Sequence, residues 1–340
     1  MKIGILTSGG DSPGMNAAIR SVVRTAIDNN IQVIGFIKGL KGILDDQFIE
    51  LNDRSVSGII EKGGTFLQSS REPRFLQKEY RQIAYQKLNE LGIDWLIIIG
   101  GNGSFNAAYK ILTESNIKVV GITGTIDNDI YGTEYTLGYD TALNTATEAI
   151  DKIRDTAYSF GRIFIVEVMG RDYGLLPLDI AFATGSELVL VPEFKISTKT
   201  IAQKIHEYKQ KGKKHVIIVL SEGYASAYEL EKELNPILKS YNPEYELKIA
   251  VLGHIQRGGS PTAYDRIFGT LSGQKAVELI LENKNGYFVG LKHNQIQPVE
   301  IELAVKNKKK IEHKLITVLE ELAVWKNKNY PKKLIAFFEP

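Results

Sequence analysis

Short, continuous apolar runs alternate along this chain with longer segments whose apolar positions recur at helical spacing. The short runs are Lys2–Leu6, Gln32–Ile37, Trp95–Ile99, Val119–Ile122, Ile163–Val168, Leu188–Val191, Val216–Leu220, Ile249–Leu252 and Tyr287–Leu291. They are rich in Ile and Val and mostly lack polar alternation, as strands do when both sheet faces are covered. Between them, Thr141–Ala157 places Leu143, Ala146, Ile150, Ile153 and Ala157 on one helical face, and Ser197–Lys211 and Ala263–Glu282 behave similarly. This alternation predicts an α/β fold of two doubly wound, mostly parallel, Rossmann-like sheets, with a cleft at the strand C-terminal ends.

Length sets the domain count. At about 150 residues per domain, 340 residues make roughly two domains. The expected break follows Val168, giving domains 1–168 and 169–300 and a segment 301–340 able to pack back on the first domain. Within that segment the run "KNKKKIEHK", Lys306–Lys314, reads as a solvated face or tail.

Composition narrows the class. Hydrophobic residues are 43% and charged residues 24%, enough for an ordinary core. A net charge of +2 gives no whole-protein nucleic-acid signal. The absence of cysteine excludes disulfides, thiolate zinc sites and a cysteine nucleophile. The opening "MKIGILTSGGD" is too short an apolar run for a signal peptide, and no stretch reaches membrane-spanning length. A soluble, cytoplasmic protein that binds neither nucleic acid nor membrane is expected.

The chemistry collects after the strands. There stand "TSGGDSPGMN", "GGNGS", "TGTIDND", "MGR", "SEG" and "GHIQRGGSP". Ligands in open α/β sheets bind beyond the carboxyl ends of strands. Gly9–Gly10 and Gly100–Gly101 each precede a candidate helix, near Met15 and Ser104, where backbone N–H groups favour phosphate. Either loop alone reads equally as a tight turn. No G-x-G-x-x-G or Walker A pattern is present. In "TIDND", one of Asp127 and Asp129 is suited to accept a hydroxyl proton and the other to face a metal. Standing alone, the motif would read as an Asp/Asn turn bonded to its own backbone. Arg71, Arg162, Arg171 and Arg257 offer two-pronged phosphate contacts, and Glu222 an acceptor for sugar hydroxyls. Together these residues predict phosphoryl transfer from a nucleotide-like donor to a phosphorylated, hydroxyl-rich acceptor.

The segments "LTSGGDSPGMNAAIR", "GGTFL", "IGGNGS", "GTIDNDIYGT", "AIDKIRDTA", "VEVMGR" and "LGHIQRGGSP" resemble, in order, the bacterial-type ATP-dependent 6-phosphofructokinases. The resemblance runs from Lys2 to about Leu291. It implies an ATP-binding first domain, a fructose 6-phosphate-binding second domain and transfer from Mg-ATP to the sugar 1-hydroxyl. Asp127, Thr125, Asp129, Arg71 and Arg171 form the implied catalytic set, with Asp127 as base. ATP would lie on Gly10, Arg71, Glu72, Gly101, Asn102, Gly103 and Ser104. The sugar phosphate would meet Thr125, Ile126, Asp127, Met169, Gly170, Arg171, Glu222, His254 and Arg257, with Arg162 and Lys248 reaching in from a neighbouring subunit of a homotetramer. Magnesium would sit near Asn102 and Asp129. Gly103 and Gly124 match the ATP users of the family rather than the pyrophosphate users. An effector site for ADP and phosphoenolpyruvate is implied at Arg20, Arg24, Arg54, Arg154, Gly185, Glu187, Lys211 and Lys213.

Three positions depart from the pattern. Phe160 replaces a common histidine, Lys248 replaces an arginine, and Asn102 replaces an aspartate close to the magnesium. Asn102 leaves open a second reading, a weakened or regulatory member of the family.

Overall fold

A computed structural model describes residues 1–323. They form eleven strands: β1 (Lys2–Ser8), β2 (Gln32–Phe36), β3 (Phe48–Leu51), β4 (Trp95–Gly100), β5 (Lys118–Thr123), β6 (Ile163–Val168), β7 (Leu188–Leu190), β8 (Val216–Ser221), β9 (Leu247–Val251), β10 (Tyr287–Lys292) and β11 (Gln295–Glu300). The first sheet has the order β11-β10-β5-β4-β1-β2-β3. Five of its strands run parallel, and antiparallel β11 and β3 close the edges. The second sheet, β7-β8-β6-β9, is wholly parallel. Ile5 pairs with Ile97, and Ile97 with Val120. All three are fully buried, so the central strands carry no polar alternation.

Two helices carry the chain between the sheets. Tyr139–Phe160 leads from the first sheet to the second, and Ala263–Leu281 leads back to β10. The returning helix lies tightly on helix Met15–Asp28. A Cβ at Gly273 would stand 2.5 Å from the Ala18 carbonyl oxygen, and one at Gly269 would stand 2.9 Å from that of Gly14. Apolar residues of both sheets, such as Ile3, Ile97, Val166 and Val219, join one continuous core through these helices.

The sheets divide the chain elsewhere than at the expected break after Val168. Strand β6, which ends there, lies in the second sheet, while β10 and β11 belong to the first. Parallel strands are joined by long crossovers, so a strand can return to a sheet begun far earlier in the sequence. Beyond β11, helix Ile301–Lys306 buries Ile301 and Ala304 against helix Asn102–Glu114, on the first sheet. Helix His313–Ala323 instead lies against β7 and helix Leu175–Thr184, and Lys204 pairs with Glu320 at 2.5 Å. The rest of the expected C-terminal segment, 324–340, lies outside the described residues.

Candidate active site

Strand order reverses between β1 and β4, so the loops that follow them diverge and leave a crevice. Gly9, with φ 86°, turns the first loop in a conformation suited to glycine. Its neighbour Gly10 lies directly under the Arg257 guanidinium. A Cβ there would stand 2.1 Å from Nη1 of Arg257, which reaches over from the second sheet and donates to the Asp11 carbonyl oxygen at 3.2 Å. The second loop starts a helix at Asn102, close to the expected Ser104. Ser104 Oγ donates to the Ser8 carbonyl oxygen at 2.9 Å and ties the two loops together. No side chain caps this helix, so its first N–H groups point into the crevice, where an anion is favoured.

The aspartate loop follows β5. Thr136 Oγ1 donates to the Thr125 carbonyl oxygen at 2.7 Å, and the Asp127 backbone N–H donates to Thr125 Oγ1 at 3.3 Å. Burial first, then the neighbouring Asp129 carboxylate, push the Asp127 carboxyl up to about 6, while the Arg257 guanidinium acts in the opposite direction. Burial also raises Asp129, and a hydrogen bond from Asn102 opposes that rise. Asn102 Nδ2 donates to Asp129 Oδ2 at 2.7 Å. The other oxygen, Oδ1, is buried without a hydrogen-bond partner among the described residues. Ile126, expected beside the sugar, is fully buried in the core.

The second sheet supplies the facing wall. Met169 N–H donates to the buried Gln256 Oε1 at 2.8 Å, and Ser221 Oγ donates to the Gly170 carbonyl oxygen at 2.5 Å. Gly170 has φ 131°, and a Cβ there would meet Pro177. These contacts present Arg171, whose side chain is 63% exposed and, among the described residues, pairs only with Asp172, at 3.2 Å. Glu222 and His254 are exposed beside this wall, and Glu222 is close enough to raise Asp127 slightly.

The cleft between the walls measures about 380 Å³. Its lining includes polar residues, Thr125, Asp127, Asp129, Arg171 and Arg257, and apolar ones, Leu40, Phe75, Leu76 and Ala107. Gly10, Arg71, Gly101, Asn102, Gly103 and Ser104 also line it, and Lys110 adds a cation absent from the sequence expectations. Glu72 also lines the cleft, but its carboxylate accepts from Arg74 N, Nε and Nη2 at 3.0, 2.9 and 2.6 Å. It anchors the following turn and is not free to hold a nucleotide. A Cβ at Gly103 would meet nothing within 4 Å, whereas one at Gly124 would stand 2.8 Å from Met15 Cε and 3.1 Å from Ile99 Cγ2. The fold crowds position 124 and leaves space at 103.

A family model described as phosphofructokinase matches residues 2–280. The chain belongs to the phosphofructokinase family. It is 50% identical to the ATP-dependent 6-phosphofructokinase of Aquifex aeolicus, over 91% of this chain and 95% of that one. It is 49% identical to the enzyme of that name from Sulfurihydrogenibium sp., over 88% and 93% of the two chains. Among solved structures, phosphofructokinase from Saccharomyces cerevisiae matches with a TM-score of 0.80 at 32% identity, over 90% of this chain but 45% of the yeast chain. A pyrophosphate-dependent phosphofructokinase from Marinobacter aquaeolei, at 21% identity and TM-score 0.81, shares the fold.

Not every residue expected of a phosphofructokinase site lies in this cleft. Arg162 and Lys248 sit at the opposite ends of β6 and β9 from Arg171 and Arg257. Arg162 Nε donates to Glu246 at 2.6 Å, its guanidinium lies over the Phe160 ring, and Lys248 is exposed on the edge strand. Neither reaches the cleft of its own chain. A second cluster gathers part of the expected effector set. Arg154 Nη2 donates to the Thr184 carbonyl oxygen at 2.6 Å, beside the left-handed Gly185. Lys213 pairs at 3.0 Å with Glu187, whose side chain is 1% exposed. His215 joins them at 3.2 Å from Arg154, held below its usual titration range mainly by burial. His215 was missed in the sequence because its neighbours lie far away along the chain. Arg20, Arg24 and Arg54 form no hydrogen bond or ion pair to this cluster, and Lys211 is exposed at the end of its helix.

Proposed function

We propose that this chain is an ATP-dependent 6-phosphofructokinase. Asp127 takes the proton of the fructose 6-phosphate 1-hydroxyl, and the oxygen attacks the γ-phosphorus of Mg-ATP. The bond from that phosphorus to the bridging oxygen breaks, giving fructose 1,6-bisphosphate and ADP. A buried carboxylate with a pKa of about 6 suits this role, being ionised near neutrality yet basic enough to accept a proton. The nucleotide lies across the open helix end at Asn102–Ser104, its base against Leu40, Phe75 and Leu76. Arg71, Arg171 and Arg257 offset the charge that builds up on the phosphoryl oxygens.

Magnesium arrives with the nucleotide. Among the described residues no group of three or more acidic or histidine side chains could hold the ion unaided, so phosphate oxygens supply most of its ligands. The unpartnered Asp129 Oδ1 fits the ion or one of its waters. Asn102 contributes an amide that keeps Asp129 turned the right way.

The observation that carries ATP over pyrophosphate is the apolar part of the cleft lining, Leu40, Phe75, Leu76 and Ala107. A pyrophosphate has nothing to lay there. A coupled assay for fructose 1,6-bisphosphate with ATP and with pyrophosphate tests the choice, and turnover with pyrophosphate alone would overturn it. We further propose a cytoplasmic homotetramer in which Arg162 and Lys248 enter a neighbour's cleft. Arg20, Arg24 and Arg54 would meet the Arg154–Glu187–Lys213 cluster of another subunit, forming a site for ADP and phosphoenolpyruvate. Effector-insensitive activity at sub-saturating sugar phosphate would remove that last element.

A further inference from the structure

We propose that Lys309 is a positioning residue for phosphoryl transfer, holding Asn128 in place between Asp127 and Asp129. The inference rests on the kinase reading of the cleft. Lys309 lies outside residues 2–280, the part that matches the family model, and inside the charge run expected to be a solvated tail. The structure corrects that expectation for this lysine. Lys306, Lys308 and Lys310 are exposed, but Lys309 is half-buried.

The ammonium donates to the Asn128 carbonyl oxygen at 2.8 Å and to Asn128 Oδ1 at 3.0 Å. Asn128 is itself buried, with φ 49°, and its Nδ2 donates to the Glu134 carbonyl oxygen at 3.0 Å. A non-glycine residue in the left-handed region persists when its surroundings over-determine it. Here those surroundings are Glu134 on one side and Lys309 on the other. Among the described residues no charged side chain contacts either carboxylate, so Asp127, and Asp129 together with the Asn102 amide, depend on this backbone for their directions.

The strap that delivers Lys309 is anchored at both ends. Ala304 is buried against helix Asn102–Glu114, and Ile311 is buried in the main core. A lysine placed only for solubility keeps its ammonium in water. This one gives up hydration for two neutral acceptors, and burial lowers it to about 8. The attraction of Asp129 and Glu134 recovers part of that cost. The molecule therefore maintains an unfavourable burial at the one loop that carries both site aspartates.

The test compares wild type with Lys309→Met and Lys309→Arg. Methionine keeps the stem and removes the donors, while arginine restores charge and donors. Wild-type turnover in the same assay tests the kinase reading separately. If Lys309 positions the loop, Lys309→Met lowers kcat about tenfold or more, since an error of about 1 Å in a reacting group costs on the order of a hundredfold. KM for both substrates stays within about threefold, because ground-state binding is untouched, and Lys309→Arg recovers most of the rate. Melting temperature and ADP affinity, measured on the same samples, separate positioning from folding. Two results overturn the inference: a Met variant with wild-type kcat, or a loss of rate that tracks unfolding and that arginine does not restore.

Discussion

At the scale of single residues, the site turns on the carboxylate pair and the amide beside it. Asp127 must be ionised to accept a proton, and its pKa of about 6 places the acidic limb of kcat/KM there. Activity rises as pH rises through that value and is lost below it. Asp127→Asn should lower kcat by roughly 10²–10⁴-fold and abolish the limb, which a pH-rate profile measures. Asn102 makes a sharper case. Its Nδ2 donates to Asp129, so Asn102→Asp sets two carboxylates face to face. Like charges at that distance resist joint ionisation, and the variant should melt a few degrees lower without metal. With saturating magnesium the added charge draws in the ion, and turnover should exceed wild type. A melting curve and a magnesium titration on one preparation read both effects. The aspartate loop, the glycine turns and the arginines were legible because each chemistry lies in a short contiguous motif. Lys309 and His215 were not, because each is defined by a partner that approaches through space.

At the scale of elements, the helix that opens at Asn102 and the pair of packed helices answer to different constraints. Gly103 has empty space beside it, so Gly103→Ala should leave stability unchanged or raise it by about 0.5–1 kcal/mol. Its methyl group would project toward the nucleotide, and the KM for ATP should rise. Gly273 is the reverse: a methyl group would press on the Ala18 carbonyl, and Gly273→Ala should cost about 1–3 kcal/mol in denaturant unfolding. Element recognition followed the same physics. The central strands announced themselves as uninterrupted Ile and Val runs. β3 and β11 did not, since an edge strand with mostly exposed or half-buried positions, "FIEL" or the proline-bearing "QIQPVE", lacks that signature.

At the scale of the whole molecule, the proposed tetramer would carry Arg162 and Lys248 into another chain's cleft. Light scattering should give a mass about four times 37.9 kDa. Lys248→Arg, which restores a fork to a point charge, should lower the half-saturation concentration for fructose 6-phosphate without changing kcat. The position of β10 carries a further consequence, for synthesis on the ribosome. β10 pairs with β5, yet 163 residues separate the end of β5 at Thr123 from the start of β10 at Tyr287. Until those residues emerge, the nascent chain presents an open parallel edge that invites wrong partners. The nucleotide-facing sheet is therefore the first to be translated and the last to be closed.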